Sequence, residues 1–480
     1  MIIGKNYIGG NWCDGEGEIE NRNPARPDEI VGRFARAGEA QVRQAIDAAH
    51  AAAPAWARLN PQLRAEMLTA IGDALFARRQ ELGTLLSREE GKTVAEGVGE
   101  VTRGAQIFRF QAGECLRQAG DLLASIRGTA TIEVTREPVG VIGIITPWNF
   151  PTAIPAWKIA PALAHGNTVV FKPAELVPAS AHALAEIIAS AGFPAGVFNL
   201  VMGPGRMVGR LLTESDKVDA ISFTGSVSTG RGVAAACVSA HKMKKFQLEM
   251  GGKNPLVVLD DADLEVAVDC MVQGSYFSTG QRCTASSRII VTDGIHDRFV
   301  EAVSTRIGQL KIGDPLQDGV QIGPVVDQSQ LDQDLSYISV GQAEGARLYA
   351  GGRQIQTDTG GHFLTPALFT DVTPQMRISR EEIFGPVAGV IRVASYDEAL
   401  MVANDTEFGL SAGICTTSLK HATHFRRNAQ AGMVMVNMPT AGVDYHVPFG
   451  GTKGSSYGAR EQGRHAVEFF TTVKTAYIQA

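Results

Sequence analysis

From Val139 onward the chain repeats one texture, a short apolar run followed by a helical stretch. That alternation constrains the fold more than any other feature. VGVIGIIT (139–146) is the first run, and its unbroken apolar character predicts a strand buried on both faces. IPAWKIAPALAHG (154–166) reads as a helix stopped by Gly166, and NTVVFKP (167–173) as a strand. PASAHALAEIIASAG (178–192) reads as a helix with Pro178 near its start and Gly192 just past its end. VFNLV (197–201), a helix around 205–214, AISFTG (220–225), a helix from Ser226 and KKFQLEMG (244–251) continue the series. Such a series predicts a parallel sheet with right-handed crossovers and helices on both faces. Ligands bind beyond the carboxyl ends of such strands. ITPWNF (145–150), FKPAE (171–175), VMGPG (201–205), FTGS (223–226) and LEMGG (248–252) therefore share one rim.

A second series runs from PLVVLDDADLEVAVDC (255–270) to about residue 440, through SRIIVTDG (287–294), a helix at 296–309 and MVMVNMP (433–439). It reads as a second α/β domain whose loop at 279–284 faces the first. Upstream, residues 41–87 and 94–117 look helical, separated by a turn at Gly91. GTATIEVTREP (128–138) and FFTTVKTAYI (469–478) alternate like exposed strands. Two such ribbons, far apart in sequence, suit an intersubunit element.

The net charge of −6 comes with no basic run, which argues against nucleic acid as a partner. No apolar stretch approaches the roughly 18 residues of a membrane span, and the N-terminus has no secretory h-region. A cytoplasmic protein is expected. The six cysteines, at 13, 115, 237, 270, 283 and 415, form no C-x-x-C pair and read as free thiols in a reducing compartment.

One thiol departs from the pattern of a buried, inert cysteine. Cys283 lies in STGQRCTASSR (278–288), among Gly, Gln, Arg, Thr and Ser, just before a predicted strand. The guanidinium of Arg282 beside it is expected to favour the thiolate, the nucleophilic form; the alternative is a loop thiol of no consequence. Glu249 ends a strand ahead of two glycines and is a candidate base for activating water, or else a salt-bridge partner. Asn149 follows a buried strand on the shared rim; its amide suits an oxyanion, with the Cys283 N–H as second donor, or an Asx turn before Pro151. GPGRMVG (203–209) fails the strict dinucleotide fingerprint. The glycines of FTGSVSTG (223–230) open a helix where N–H groups suit phosphate, and Glu175 in FKPAE suits ribose hydroxyls. None of the ten histidines shows metal-ligand spacing.

PWNFP, FKPAE, FTGS, LEMGGKNP, GQRCT, EEIFGP (381–386) and NMPTAGVDYHVPFGG (437–451) occur in the order found in aldehyde dehydrogenases, and the chain resembles that family along its whole length. The resemblance implies two Rossmann-type parallel-sheet domains plus a small β oligomerisation element. Residues 1–117 and 138–250 would bind NAD(P), 251–463 would be catalytic, and 118–137 with 464–480 would bridge subunits of a homodimer or homotetramer. It implies Cys283 as nucleophile, Asn149 as oxyanion amide, Glu249 as base for deacylation, and Glu382 and Phe384 holding the nicotinamide ribose and ring. Lys172 and Glu175 would face the adenosine ribose, and Gly225 with Ser226 the pyrophosphate; Thr146, Trp148, Gly205, Phe223 and Gly251 complete the expected cofactor contacts. Glu175 favours NAD over NADP, because its carboxylate would repel a 2′-phosphate. No metal is required.

Within the family, KPAELVPAS, STGQRCTASSR, SREEIFGPVAGV and MPTAGVDYHVPFGGTKGSSYGAREQGR resemble the branch that oxidises 2-oxoglutarate semialdehyde (2,5-dioxopentanoate). The succinic semialdehyde branch grips its substrate with two arginines; Trp157 and Phe277 stand at those positions here. A substrate carboxylate still needs a cation, and Arg103 and Arg282 are the candidates, with Phe150, Trp157 and Phe277 as further substrate contacts. Succinic or glutaric semialdehyde and a broad aldehyde range are the alternative substrates. A coenzyme A-acylating enzyme would dispense with Glu249. A structural protein or plain nucleotide-binding module would need no combination of Cys283, Glu249 and Asn149.

Overall fold

The computed structural model describes residues 1–117 and 120–479. Residues 118, 119 and 480, at the edges of the two expected bridging ribbons, lie outside the described residues.

The first apolar series forms an eight-stranded sheet. Its centre is five parallel strands in the spatial order Lys245–Glu249, Ala220–Thr224, Val141–Ile145, Thr168–Lys172 and Phe198–Leu200. The chain runs outward from 141–145 through 168–172 to 198–200, then returns to the other side of 141–145. The strand order therefore reverses at 141–145, and the crevice beyond its carboxyl end is where an open α/β sheet binds ligand. Val141, Ile142, Ile144, Val169, Val170 and Ile221 are fully buried, as strands covered on both faces require. The edges are completed from elsewhere: Asn6–Ile8 pairs antiparallel beyond 198–200, and Ser456–Tyr457 pairs antiparallel with 245–249. The second contribution comes from the far end of the chain, so the division near residue 250 is crossed by a ladder.

The second series forms a seven-stranded sheet in the order Arg347–Ala350, Ala367–Thr370, Val387–Val393, Ser286–Thr292, Asn254–Val258, Ser411–Cys415 and Met433–Val436. All its neighbours are parallel except the first pair. Helices Leu264–Tyr276 and Asp293–Gly308 pack on one face, and Gln328–Ala343, Tyr396–Asn404 and Leu419–Asn428 on the other.

Residues 41–87 divide among three helices, Glu39–Ala57, Pro61–Ala77 and Arg79–Glu90, the last closed by Gly91 at φ +100°. Val94–Glu114 follows as one long helix, started by a capping box between Thr93 and Glu96. The two alternating ribbons meet: Thr131–Pro138 pairs along its length with Thr471–Ile478, and Asp121–Ala124 pairs on its other side. Residues 1–36, unassigned from the sequence, contribute five strands, three of them, including the eleven-residue Arg26–Arg36, in a separate small sheet. Among the described residues no helix is long and apolar enough to cross a membrane.

Candidate active site

The nucleophile loop joins helix Leu264–Tyr276 to strand Ser286–Thr292, and its backbone is strained. Ser278, Thr279 and Gly280 lie in succession at φ +50°, +56° and +69°. The first two are not glycines, and such conformers cost about 1–3 kcal/mol each unless the surroundings over-determine them. Here they do. The Glu96 carboxylate accepts from Ser278 N–H (2.8 Å), Ser278 Oγ (2.9 Å) and Arg282 Nη2 (3.0 Å). Val326 N–H donates to Gln281 Oε1 (2.9 Å), and Asn254 Nδ2 donates to the Cys283 carbonyl (2.8 Å). Gly280 is obligatory, since a Cβ there would stand 2.3 Å from the Gly385 carbonyl oxygen.

Asn149 is held as firmly on the opposite wall. Its Nδ2 donates to the Gln281 carbonyl (2.9 Å), which leaves the second amide hydrogen for another acceptor. The Asn149 carbonyl accepts from Lys92 Nζ (2.7 Å), and the same ammonium pairs with Glu100 (2.8 Å). Glu100 in turn accepts from the N–H groups of Thr152 and Ala153 at 2.8 and 3.1 Å, at the start of helix Ala153–Ala164. Lys92, Glu96 and Glu100 escaped the sequence reading. Their signal was the run of charges around Thr93, at the mouth of a helix otherwise read only for periodicity.

Cys283 opens onto two clefts. One is a cavity of about 250 Å³ with mainly apolar walls, including Phe150, Ile154, Trp157, Val443 and Phe449, and with Lys92, Arg103 and Arg282 as its cations. The other, about 310 Å³, contains Trp148, Asn149, Gly225, Ser226, Gly251, Glu382 and Phe384. The expected help from Arg282 to the thiolate is not what the structure provides. Burial, then the Glu382 and Glu249 carboxylates, push the Cys283 thiol up to about 12. Arg282 spends its guanidinium on Glu96 and on Ser278 Oγ (2.9 Å).

The second cleft leads toward the switch point of the first sheet. Glu382 Oε1 accepts from Gly252 N–H (2.8 Å), and burial raises its carboxyl to about 7, against the pull of Gly252 N–H and Lys253. A Cβ on Gly251 would stand 2.1 Å from Glu382 Oε2, so the carboxylate and that backbone form one close-fitting wall. Phe384, at φ +64°, meets Trp148 edge-on at 5.4 Å. Further along, Lys172, Gly205 and Phe223 line a cleft of about 660 Å³. Lys172 is buried there, its ammonium without a hydrogen bond among the described residues and its charge offset only in part by Glu175. Glu175 itself is exposed and accepts from Gly205 N–H (3.1 Å). Thr146 is buried and donates its N–H to the Lys172 carbonyl (3.2 Å). A buried ammonium without an acceptor, two glycines opening a helix and a ring beside a carboxylate are groups that could hold a dinucleotide.

Glu249 does not line either cleft around Cys283. It is buried at the end of its strand, where Ser456 Oγ donates to Oε2 (2.5 Å) and Gly450 closes over Oε1. Burial, then the neighbouring Glu461, raises its carboxyl well above the ordinary range. Beside it Lys158 and Glu461 form a fully buried ion pair, and Lys158 also donates to Ser222 Oγ (2.9 Å). A lysine alone in the apolar helix IPAWKIAPALA was the readable sign of this network. Phe277 is also elsewhere: it packs against the core of the second sheet. Among the described residues no three His, Cys, Asp or Glu side chains group as metal ligands.

The aldehyde dehydrogenase family model matches residues 12–476. The chain belongs to the aldehyde dehydrogenase family. It is thus an oxidoreductase acting on aldehydes with NAD(P). It is 44% identical to the alpha-ketoglutaric semialdehyde dehydrogenase of Bacillus subtilis (strain 168), over 99% of this chain and 98% of that one. The 2,5-dioxopentanoate dehydrogenase of Saccharolobus solfataricus is 38% identical, over 98% and 99%. Among solved structures, an NAD-dependent aldehyde dehydrogenase from Sinorhizobium meliloti superposes with a TM-score of 0.96 at 35% identity, covering 100% of this chain and 95% of the other. Betaine aldehyde dehydrogenase from Staphylococcus aureus in complex with NAD+ gives 0.96 at 32% identity, over 98% and 94%. This aldehyde dehydrogenase therefore has the family's architecture of two parallel-sheet domains with a small β element.

Proposed function

We propose that this aldehyde dehydrogenase oxidises 2-oxoglutarate semialdehyde to 2-oxoglutarate, with NAD as the preferred cofactor. The carrying observation is that a single thiol, Cys283, is shared by a small cavity bordered by two half-buried arginines and by a cleft that fits a nicotinamide. Relatives named for this aldehyde, matching from end to end, support the choice of substrate. The Cys283 thiol releases its proton to water in the cleft, its sulfur adds to the aldehyde carbon, and the resulting oxyanion is received by the free hydrogen of the Asn149 amide and the Cys283 N–H. Glu382 and Phe384 line the same cleft as Cys283 and would hold a nicotinamide there, which would supply the hydride acceptor. Glu249 must turn from Ser456 toward the sulfur to activate water against the thioester, passing its proton toward Lys158 and Glu461.

In this reading residues 1–117 and 138–250 bind the cofactor and 251–463 carry the nucleophile. The sheet built from 118–137 and 464–480 joins subunits of a homodimer or homotetramer. Leu122, Leu123, Val473 and Tyr477, all exposed on that sheet, support the last assignment. A cytoplasmic setting accords with six thiols outside any disulfide.

The test follows cofactor reduction with 2,5-dioxopentanoate, succinic and glutaric semialdehydes, betaine aldehyde and propanal. The highest kcat/KM is expected for 2,5-dioxopentanoate, and Cys283→Ala is expected to abolish turnover. A different best substrate would overturn the substrate assignment, and an active Cys283→Ala would overturn the chemistry.

A further inference from the structure

Helix Gln328–Ala343 carries Gln330, Gln333, Asp334 and Tyr337 at the i, i+3, i+4, i+7 spacing of one helical face. All of them meet the segment Glu381–Gly385, and they meet it at every second residue. Tyr337 Oη donates to Glu381 Oε2 (2.7 Å). Gln330 Nε2 (3.1 Å) and Gln333 Nε2 (2.7 Å) both donate to the Ile383 carbonyl and fill its two lone pairs. The Asp334 carboxyl lies against Gly385, where a Cβ would stand 2.1 Å from its Oδ1. Residues 381, 383 and 385 thus face the helix, and the alternate pair, Glu382 and Phe384, borders the cleft that Cys283 shares.

Phe384 is held at φ +64°, a left-handed conformation that costs such a residue about 1–3 kcal/mol unless its neighbours fix it. Ile383 is buried in the core of the second sheet, and Gly385 is pressed between two elements. Asp334 lies on one side of it; on the other, a Cβ at Gly280 in the nucleophile loop would stand 2.3 Å from the Gly385 carbonyl oxygen. Asp334 itself has no cation among the described residues. It is fully buried, its Oδ1 accepts from Gln330 Nε2 (2.9 Å), and its Oδ2 has no partner. Burial pushes its carboxyl up to about 8, so the group is mainly uncharged at neutral pH. Both N–H groups of the Gln330 amide are therefore used, one on Asp334 and one on Ile383. Gln330 and Gln333 border the cleft themselves, whereas Asp334 does not.

We propose that Asp334 is a positioning residue for the nicotinamide end of the cofactor cleft: through Gln330 and Gly385 it sets the turn that keeps Glu382 and Phe384 facing the cleft. This rests on the reading of that cleft as the nicotinamide site. A buried acid without a cation costs stability, and an apolar side chain would suit the surrounding core better. An apolar side chain, however, leaves one Gln330 N–H without its acceptor, and the amide is then free to turn away from Ile383. The acid at 334 is thus explained by what it does for the segment in front of it.

The experiment titrates NAD and AMP by calorimetry into wild type, Asp334→Ala, Asp334→Asn, Tyr337→Phe and Phe384→Ala, with melting curves for each. AMP lacks the nicotinamide half, so it reports on the adenosine end alone. Asp334→Ala should weaken NAD about 10-fold and leave AMP unchanged. Asp334→Asn keeps an uncharged acceptor for Gln330 and should bring NAD back to within about twofold of wild type. Tyr337→Phe should weaken NAD by only about threefold, because Arg377 still holds Glu381. Asp334→Ala added to Phe384→Ala should cost nothing further, since both act through one ring. Unchanged NAD affinity in Asp334→Ala would overturn the proposal, as would NAD and AMP weakened alike, or an Asn variant no better than Ala. If Asp334→Ala does not fold, unchanged NAD affinity in Tyr337→Phe overturns it instead. Phe384→Ala tests the cleft: if NAD affinity is untouched there, the nicotinamide reading fails. If Phe384→Ala weakens NAD and Asp334→Ala does not, the role of Asp334 alone fails.

Discussion

Glu96→Ala probes how the long helix holds the nucleophile loop. In the native chain Glu96 Oε1 receives three hydrogen bonds from Ser278 and Arg282, while Oε2 receives Thr93 N–H (3.0 Å) and so closes the helix cap. Burial pushes this carboxyl up, yet Arg282, then Lys92, outweigh it and hold Glu96 below the ordinary carboxylate range. The group is therefore ionised at neutral pH. Its contribution to stability is complete above the unfolded carboxylate pKa and fades as pH falls through the lowered folded value. Removing the carboxylate strands the Arg282 side chain, which is 17% exposed, and breaking such a pair costs about 3–5 kcal/mol. Relaxation of Ser278 and Thr279 from positive φ returns part of that cost but displaces the loop that aims Cys283. A net loss of about 2–4 kcal/mol in denaturant unfolding is expected, with kcat down on the order of 100-fold. Glu96→Gln keeps an acceptor oxygen for Ser278 and should recover stability more than activity. An Ala variant that unfolds within about 0.5 kcal/mol of wild type and retains kcat would refute the tether.

Two further outcomes follow from the same geometry. Because the Cys283 thiol is held up to about 12, it stays protonated at neutral pH, and iodoacetamide alkylation of the cofactor-free enzyme should accelerate about tenfold per pH unit through the alkaline range. Glu382→Gln removes the largest opposing charge and should speed alkylation at pH ~8; equal rates would show that Glu382 does not govern the thiol. Gly251→Ala places a Cβ within 2.1 Å of Glu382 Oε2. It should raise KM for NAD with little loss of melting temperature, and an unchanged KM would sever Glu382 from cofactor binding.

The local features of this chain were legible without coordinates. Strand and helix alternate because each apolar run is too short to be anything but a buried strand, and the glycine and proline stops stand beside it. The rim motifs followed, since the carboxyl end of every parallel strand points the same way; Cys283, Asn149 and Glu382 do converge there. The two distant ribbons were also legible as strands, since each alternates with period two, but that they pair with each other came only from the fold.

What only the tertiary structure decided is where the charges go. Adjacency in sequence suggested that Arg282 would activate Cys283, but Glu96, 186 positions earlier, claims that guanidinium. Lys158 finds Glu461 across 303 positions, and their pair sits beside Glu249, which turns away from the thiol in the process. Arg103 and Arg282 look alike as isolated residues, but Arg282 pairs with Glu96 whereas Arg103 donates to the neutral amide of Gln462. Backbone preference and hydrophobic period act over a few residues, so sequence carries them. Coulomb and hydrogen-bond partners are chosen by proximity in the folded chain, and a buried charge takes its function from whichever partner the fold brings.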